Sequence, residues 1–121
     1  ILEFRIDQFH FAHLESIASI KESTHLPVIF TLRKRSQGGE YSGDEQERLE
    51  MIKELAALKP EYIDLEYDLR DHFNEIMRIS PDTKLISSFH DFEHNLKNLH
   101  SLLEVMRHEA VSIYKIASVA Y

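Results

Sequence analysis

The sequence predicts an α/β fold in which parallel strands form part of a (β/α)8 barrel. Five strand-like segments alternate with four amphipathic helical segments, a pattern that requires parallel strands joined by helical crossovers. Polar residues recur at every second position of the strands. In a barrel such positions face the axis, whereas both faces of a doubly wound sheet lie beneath helices. A five-stranded doubly wound open sheet is the alternative, because a whole barrel needs about 250 residues.

The predicted strands are of two kinds. The first alternates apolar Leu2, Phe4 and Ile6 with charged residues, as a strand with one buried face does. The later strands are apolar runs interrupted by single polar residues, which is typical of parallel strands. The five strands are predicted at residues 2–7, 28–33, 62–67, 84–90 and 113–117.

The predicted helices show apolar residues at helical spacing between recognisable ends. Ser42 or Asp44 caps the second helix, Lys59 and Pro60 end it, and Pro81 closes the third. The four helices are predicted at residues 13–22, 42–58, 69–79 and 96–109. The core stripes on the last three are Leu49, Ile52, Leu55, Ala56, Phe73, Ile76, Met77, Leu99, Leu102, Leu103 and Met106. Since no linker interrupts this pattern, residues 1–121 are predicted to be a single, partial barrel domain.

The composition excludes several classes of protein. A net charge of −7 without a basic run argues against a nucleic-acid partner, and no apolar run approaches the ~20 residues of a membrane helix. The chain has no cysteine, which excludes thiolate catalysis and fits a cytoplasmic location. No pair of histidines has the spacing of a metal site, so no metal is expected.

One lysine in the last strand is the main candidate for chemistry. Lys115 interrupts an apolar run, where a lysine must reach solvent, find a partner or react. A desolvated lysine near cations such as Arg5 and Arg33 exposes a neutral amine that can form a Schiff base. The planar guanidinium of Arg33 can bind a carboxylate, and the imidazole of His90 can transfer protons near neutral pH. The residues predicted to face the barrel axis are Glu3, Arg5, Asp7, Thr31, Arg33, Asp64, Glu66, Ser88, His90 and Lys115.

Five short motifs follow one another along the whole chain. They are Glu3-Phe4-Arg5-Ile6-Asp7, Phe30-Thr31-Leu32-Arg33 with Gln37-Gly38-Gly39, Ile63-Asp64-Leu65-Glu66, Ser87-Ser88-Phe89-His90-Asp91-Phe92 and Tyr114-Lys115-Ile116-Ala117. In this order and spacing the set resembles type I 3-dehydroquinate dehydratase, the Schiff-base dehydratase of the shikimate pathway of aromatic amino acid biosynthesis. The family is a (β/α)8 barrel, so the resemblance implies that this chain holds its second to sixth strands.

The resemblance implies a role for each axial residue in converting 3-dehydroquinate to 3-dehydroshikimate without a cofactor. Lys115 would form the imine, and His90 would remove the adjacent proton and help the hydroxyl leave as water. Glu3 and Arg5 would hold substrate hydroxyls, and Arg33 the carboxylate. The supporting residues implied are Asp7, Gln37, Asp64, Glu66 and Ser88.

Two departures from the family pattern affect these expectations. Gln37 stands where many relatives have a glutamate near the catalytic histidine, so His90 is expected to be less biased toward its protonated form. The first strand and the last two of the barrel are absent, so this chain alone is expected to have little or no activity. The resemblance leaves open a homodimer and a fusion to shikimate dehydrogenase.

Two other functions fit parts of the pattern. A class I aldolase also uses a strand lysine in a barrel, although the Gly38-Gly39 loop and the His90-Asp91-Phe92 turn argue against it. A non-enzymatic doubly wound binding or signalling module would explain Asp7 and Lys115, but it leaves Arg5 and His90 without a role.

Overall fold

The structure, a computed structural model, describes residues 1–9, 13–91 and 98–118. Five strands form one parallel sheet whose spatial order follows the sequence. The strands are β1 (Leu2–Arg5), β2 (Val28–Thr31), β3 (Tyr62–Glu66), β4 (Lys84–Asp91) and β5 (Val111–Ser118). The helices are α1 (Leu14–Ser23), α2 (Glu45–Ala57), α3 (Phe73–Ile79) and α4 (Leu99–Met106). A doubly wound sheet reverses its strand order at a switch point, so this uninterrupted order is that of a barrel sector.

Several predicted boundaries differ from the structure. β1 and β2 end early, so Asp7 lies in a 3-10 turn (Ile6–Gln8) and Arg33 lies beyond β2. The chain leaves the ladder there because the Asp7 carboxylate accepts the backbone N–H of Arg33. The predicted third helix starts as a 3-10 segment, Tyr67–His72, before α3. The predicted turn residues Phe92 and Glu93, and the predicted helix start at Leu96, lie outside the described residues.

The ends of α2 follow from its sequence. Asp44 rather than Ser42 is the N-cap, since its carboxylate accepts the backbone N–H groups of Gln46 and Glu47 at 2.8 and 3.1 Å. At the other end Lys59 adopts a left-handed conformation with φ of 56°, and Pro60 prevents the helix from continuing.

The apolar core lies between the outward face of the sheet and the helices. Phe30, Ile63, Leu65 and Leu85 are buried on the strands, and the predicted stripe of α2 is buried beneath it. α4 is different, because Met106 in its last turn is buried whereas Leu99 in its first turn is 49% exposed. The prediction of Leu99 as a core residue is therefore wrong. No helix in the described ranges is long and apolar enough to cross a membrane.

The pairing of β4 with β5 contains a shift in register. Leu85 pairs with Val111, but the next residue, Ile86, pairs with Ile113. Because side chains alternate between the two faces of a strand, this extra residue changes which side chains of β5 face the barrel axis. As a result Lys115 pairs with Ser88 and lies on the same face.

Candidate active site

A buried network at the carboxyl ends of the strands joins four of the predicted residues. Arg33 lies 2.9 Å from Asp64 through Nη2 and donates to the Ser88 hydroxyl at 2.6 Å through Nη1. Ser88 donates in turn to Oδ1 of Asp64 at 2.6 Å. Oδ2 of Asp64 lies 3.5 Å from Nζ of Lys115. Residues of β3, β4 and β5 and of the segment after β2 thus meet at one place. Arg33, Asp64 and Ser88 form the buried, charge-paired floor of the site, and Lys115 lies beside it.

Lys115 lies between two carboxylates rather than between two cations. Its Nζ atom is 3.5 Å from Asp64 and 3.8 Å from Glu3, and 41% of its side chain is exposed. Arg33 and Lys115 share the Oδ2 atom of Asp64, and Arg5 and Lys115 both contact the carboxylate of Glu3, so a carboxylate lies between Lys115 and each of the two predicted cations. The amine is nevertheless open on one side to a ligand.

The two arginines differ in exposure. The Arg33 side chain is only 3% exposed, whereas that of Arg5 is 31% exposed and lies 3.9 Å from Glu3. Arg5 pairs bidentately with Asp7, at 3.2 Å through Nε and 3.0 Å through Nη2. Arg5 is therefore the more accessible cation, and Arg33 is part of the floor of the site.

Asp7 joins the end of β1 to the loop after β2. Burial opposes its charge, but hydrogen bonds from Arg5 and from the backbone N–H groups of Arg33 and Glu40 outweigh burial and lower the pKa of Asp7. The same carboxylate is the first cause of the raised pKa of Arg5. Both side chains therefore stay charged at neutral pH.

The loop after β2 brings Gln37 to the end of β4. The Oε1 atom of Gln37 accepts the backbone N–H of His90 at 2.8 Å. Gly38 has a φ of 85°, which favours glycine, and Gly39 passes so close to the Arg33 carbonyl that a Cβ would lie 2.1 Å from its oxygen. Both glycines of the predicted loop are thus needed for this geometry.

His90 is half-buried and lies among charged groups. Burial is the largest cause of its lowered pKa, and the positive charges of Arg33 and Lys115 lower it further. The carboxylates of Asp64 and Glu66 act in the opposite direction but do not prevail. A neutral imidazole can accept a proton, so this environment suits a base at neutral pH.

Glu66 is the last of the predicted supporting residues, and it contacts a further residue that the sequence did not indicate. Glu66 lies 2.6 Å from Nη1 of Arg48, a fully buried residue of α2. No sequence pattern marks Arg48 as buried, because an arginine in a charged helix is normally exposed. Among the described residues, no cluster of three or more histidine, aspartate or glutamate side chains could hold a metal ion.

Comparison with known proteins identifies the family. The whole chain, residues 1–121, matches the family described as type I 3-dehydroquinase. It is 31% identical over 121 residues to 3-dehydroquinate dehydratase from Methanobrevibacter smithii, covering 100% of this chain and 52% of that protein. It is 31% identical over 125 residues to the bifunctional 3-dehydroquinate dehydratase/shikimate dehydrogenase of Arabidopsis thaliana, covering 99% of this chain and 21% of that protein.

Solved structures agree with this fold. The crystal structure of 3-dehydroquinate dehydratase from Aquifex aeolicus superposes with a TM-score of 0.76 at 29% identity, over 97% of this chain and 56% of that one. The Geobacillus kaustophilus enzyme, at 20% identity, superposes with a TM-score of 0.77 over 96% of this chain and 50% of that one, which supports the fold alone. The five parallel strands are therefore an incomplete (β/α)8 barrel, as predicted, and the chain spans about half the length of these relatives. The chain belongs to the type I 3-dehydroquinase family.

Proposed function

We propose that the natural protein that carries this chain dehydrates 3-dehydroquinate to 3-dehydroshikimate through a Schiff base on Lys115. The observation that carries this proposal is an accessible lysine amine above a buried, charge-paired floor, with a histidine of lowered pKa at the end of the neighbouring strand. The family assignment supports the same chemistry. The proposal extends to the whole barrel, of which this chain is part.

The first step is imine formation. The neutral amine of Lys115 attacks the substrate ketone, and the ketone oxygen leaves as water. Asp64 and Glu3, at 3.5 and 3.8 Å from Nζ, can take up and return the protons that this step moves. The resulting iminium withdraws electrons from the adjacent carbon, which makes a proton on that carbon removable.

The second step is elimination. Neutral His90 takes the proton from the carbon beside the iminium, and the electron pair forms an enamine. The enamine expels the hydroxyl from the next carbon, and His90 returns its proton so that the hydroxyl leaves as water. Hydrolysis of the iminium then releases the product and restores the Lys115 amine.

The other axial residues bind substrate in this proposal. Glu3 and Arg5, whose side chains are each about one-third exposed, hold hydroxyl groups. Arg33 contributes positive charge toward the carboxylate from the floor, which fits its 3% exposure better than a direct bidentate contact does. The cytoplasmic location, a homodimer and a fusion to shikimate dehydrogenase, as in the Arabidopsis relative's name, stay predictions.

Reductive trapping tests the proposed function. Borohydride added with 3-dehydroquinate should link the ligand covalently to Lys115, as mass spectrometry of the digested protein would show. Lys115→Met should abolish trapping, whereas Lys53→Met, which removes a half-buried lysine of α2 that pairs with Glu50 and Glu75, should not. In His90→Gln, trapping should persist while turnover falls by about 10²–10⁴. Trapping of an aldol substrate but not of 3-dehydroquinate would favour an aldolase instead and refute the proposal.

A further inference from the structure

Arg48 is a buried charge that the chemistry proposed above does not use. It belongs to α2, outside the barrel, and it is 0% exposed. Its guanidinium donates to Glu45 at 2.5 and 3.1 Å, to the Leu32 carbonyl at 3.0 Å and to Glu66 at 2.6 Å. Burying an arginine is costly unless its donors are matched, and these four hydrogen bonds fix the position of the Arg48 guanidinium.

Glu66 connects Arg48 to the floor of the site. Its Oε2 atom binds Arg48, and its Oε1 atom accepts the backbone N–H of Lys34 at 3.0 Å. The same Oε1 atom is 3.8 Å from Nη1 of Arg33, which is too long for a hydrogen bond. Arg48 is therefore the cation that hydrogen-bonds to Glu66, whereas Arg33 makes its closest contacts with other groups.

Arg33 is consequently available to Asp64. Its Nη2 atom lies 2.9 Å from Asp64, and its Nη1 atom donates to Ser88. Among the described residues, the cations paired with Asp64 are Arg33 and Lys115. If Arg33 no longer bound Asp64, the Asp64 carboxylate would bind the Lys115 ammonium more strongly.

We propose that Arg48 is a positioning residue for Lys115, acting through Glu66, Arg33 and Asp64. This inference rests on the proposed Schiff-base function. Without the charge of Arg48, Glu66 is a buried carboxylate whose nearest remaining cation is Arg33, and their 3.8 Å ion pair contracts into a hydrogen-bonded one. Arg33 then leaves Asp64, and Lys115 is held as an ammonium that cannot attack a ketone.

A crystal structure of the Arg48→Met variant of the natural protein tests the rearrangement without reference to activity. Arg33 should bind Glu66 and lose its contact with Asp64. The double variant Arg48→Met/Glu66→Gln also lacks the Glu66 carboxylate that would attract Arg33. In this variant Arg33 should therefore again contact Asp64. An Arg33 side chain that stays on Asp64 in the single variant would overturn the inference.

The rate of borohydride trapping with 3-dehydroquinate, measured against pH, tests the consequence for Lys115. Arg48→Met should slow trapping by about tenfold at neutral pH, and the rate should recover as the pH is raised. Within residues 1–9, 13–91 and 98–118, the titratable and charged groups that face Lys115 are Glu3, Asp64, His90 and Arg33, and none of them is substituted. The double variant should trap faster than Arg48→Met at neutral pH, and the control Lys53→Met on the same helix should trap at the wild-type rate.

The alternative, that Arg48 merely stabilises the fold, gives a different result. Trapping would then fall by the same factor at every pH, in proportion to the unfolded fraction, and that outcome refutes the inference. If Arg48→Met does not fold, the double variant decides: trapping by a folded double variant supports the inference, and a folded double variant that fails to trap refutes it. If the wild-type protein does not trap, the proposed function fails, and the Arg33 position still decides the rearrangement.

Discussion

The hydroxyl of Ser88 donates a hydrogen bond of 2.6 Å to Asp64, and the same hydroxyl accepts one of 2.6 Å from Arg33. The preceding residue, Ser87, is equally buried but points to the outward, apolar face of the sheet. Its hydroxyl has no hydrogen-bond partner in the part of the chain that the structure describes. The two adjacent serines of β4 therefore lie in opposite environments: Ser88 in a polar network and Ser87 on an apolar face.

This contrast predicts unequal effects of the same substitution. Ser88→Ala should lower the free energy of unfolding by about 1–3 kcal/mol, because it leaves buried polar partners unsatisfied. Ser87→Ala should change it little or raise it slightly, because it removes a buried hydroxyl without a partner. Urea denaturation of both variants is the measurement. Equal losses of stability in the two variants would contradict the network described for Ser88.

Gln37→Glu should raise the pKa of His90. A carboxylate at this position, where the Gln37 side chain touches the backbone of His90, favours the charged imidazolium and opposes the effects that lower the pKa. An NMR titration of the His90 ring measures the change. Gln46→Glu, the same chemical change on the exposed surface of α2, should leave the His90 titration as it is. A His90 pKa that falls or stays constant in Gln37→Glu would show that the two side chains are not coupled.

Asp7→Asn should weaken the fold at neutral pH but less in acid. Because the pKa of Asp7 is lowered by folding, its contribution is fully present above the ordinary value of 3.8 and is lost as the pH falls through the lower folded value. The variant should lose about 1–3 kcal/mol of unfolding free energy at neutral pH, and the difference from wild type should shrink on acidification. Urea unfolding across this pH range, with exposed Asp71→Asn as control, checks the sign. A difference that widens in acid would refute it.

Lys59→Gly should stabilise the protein by about 0.5–1 kcal/mol. Lys59 has a φ of 56°, which is costly for a residue with a Cβ, and its side chain is exposed, so little contact is lost. The matched control is Lys21→Gly within α1, where glycine should cost about 1 kcal/mol. Thermal or urea unfolding measures both. Destabilisation by Lys59→Gly would mean that the lysine side chain supports the end of α2.

Much of the fold could be read from local patterns. The alternation in β1, the apolar runs of the later strands and the cap of α2 at Asp44 all depend on neighbours close in sequence. The boundaries were less predictable at Asp7 and Arg33, because there the chain exchanges ladder hydrogen bonds for bonds to a carboxylate 26 residues away. For the same reason local patterns do not reveal the role of Arg48, since its partner Glu66 is 18 residues distant in sequence.

The sequence by itself determined that five parallel strands carry polar residues toward one axis, and its motifs pointed to the family that the comparisons identify. Only the tertiary structure decided how those residues pair. The register shift between Leu85 and Ile86 aligns Lys115 with Ser88, and without that extra residue in β5 the neighbouring Tyr114 would take this position. Side-chain periodicity is local, but register and charge pairing arise where distant segments meet, so the carboxylates around Lys115 could be found only in the folded chain.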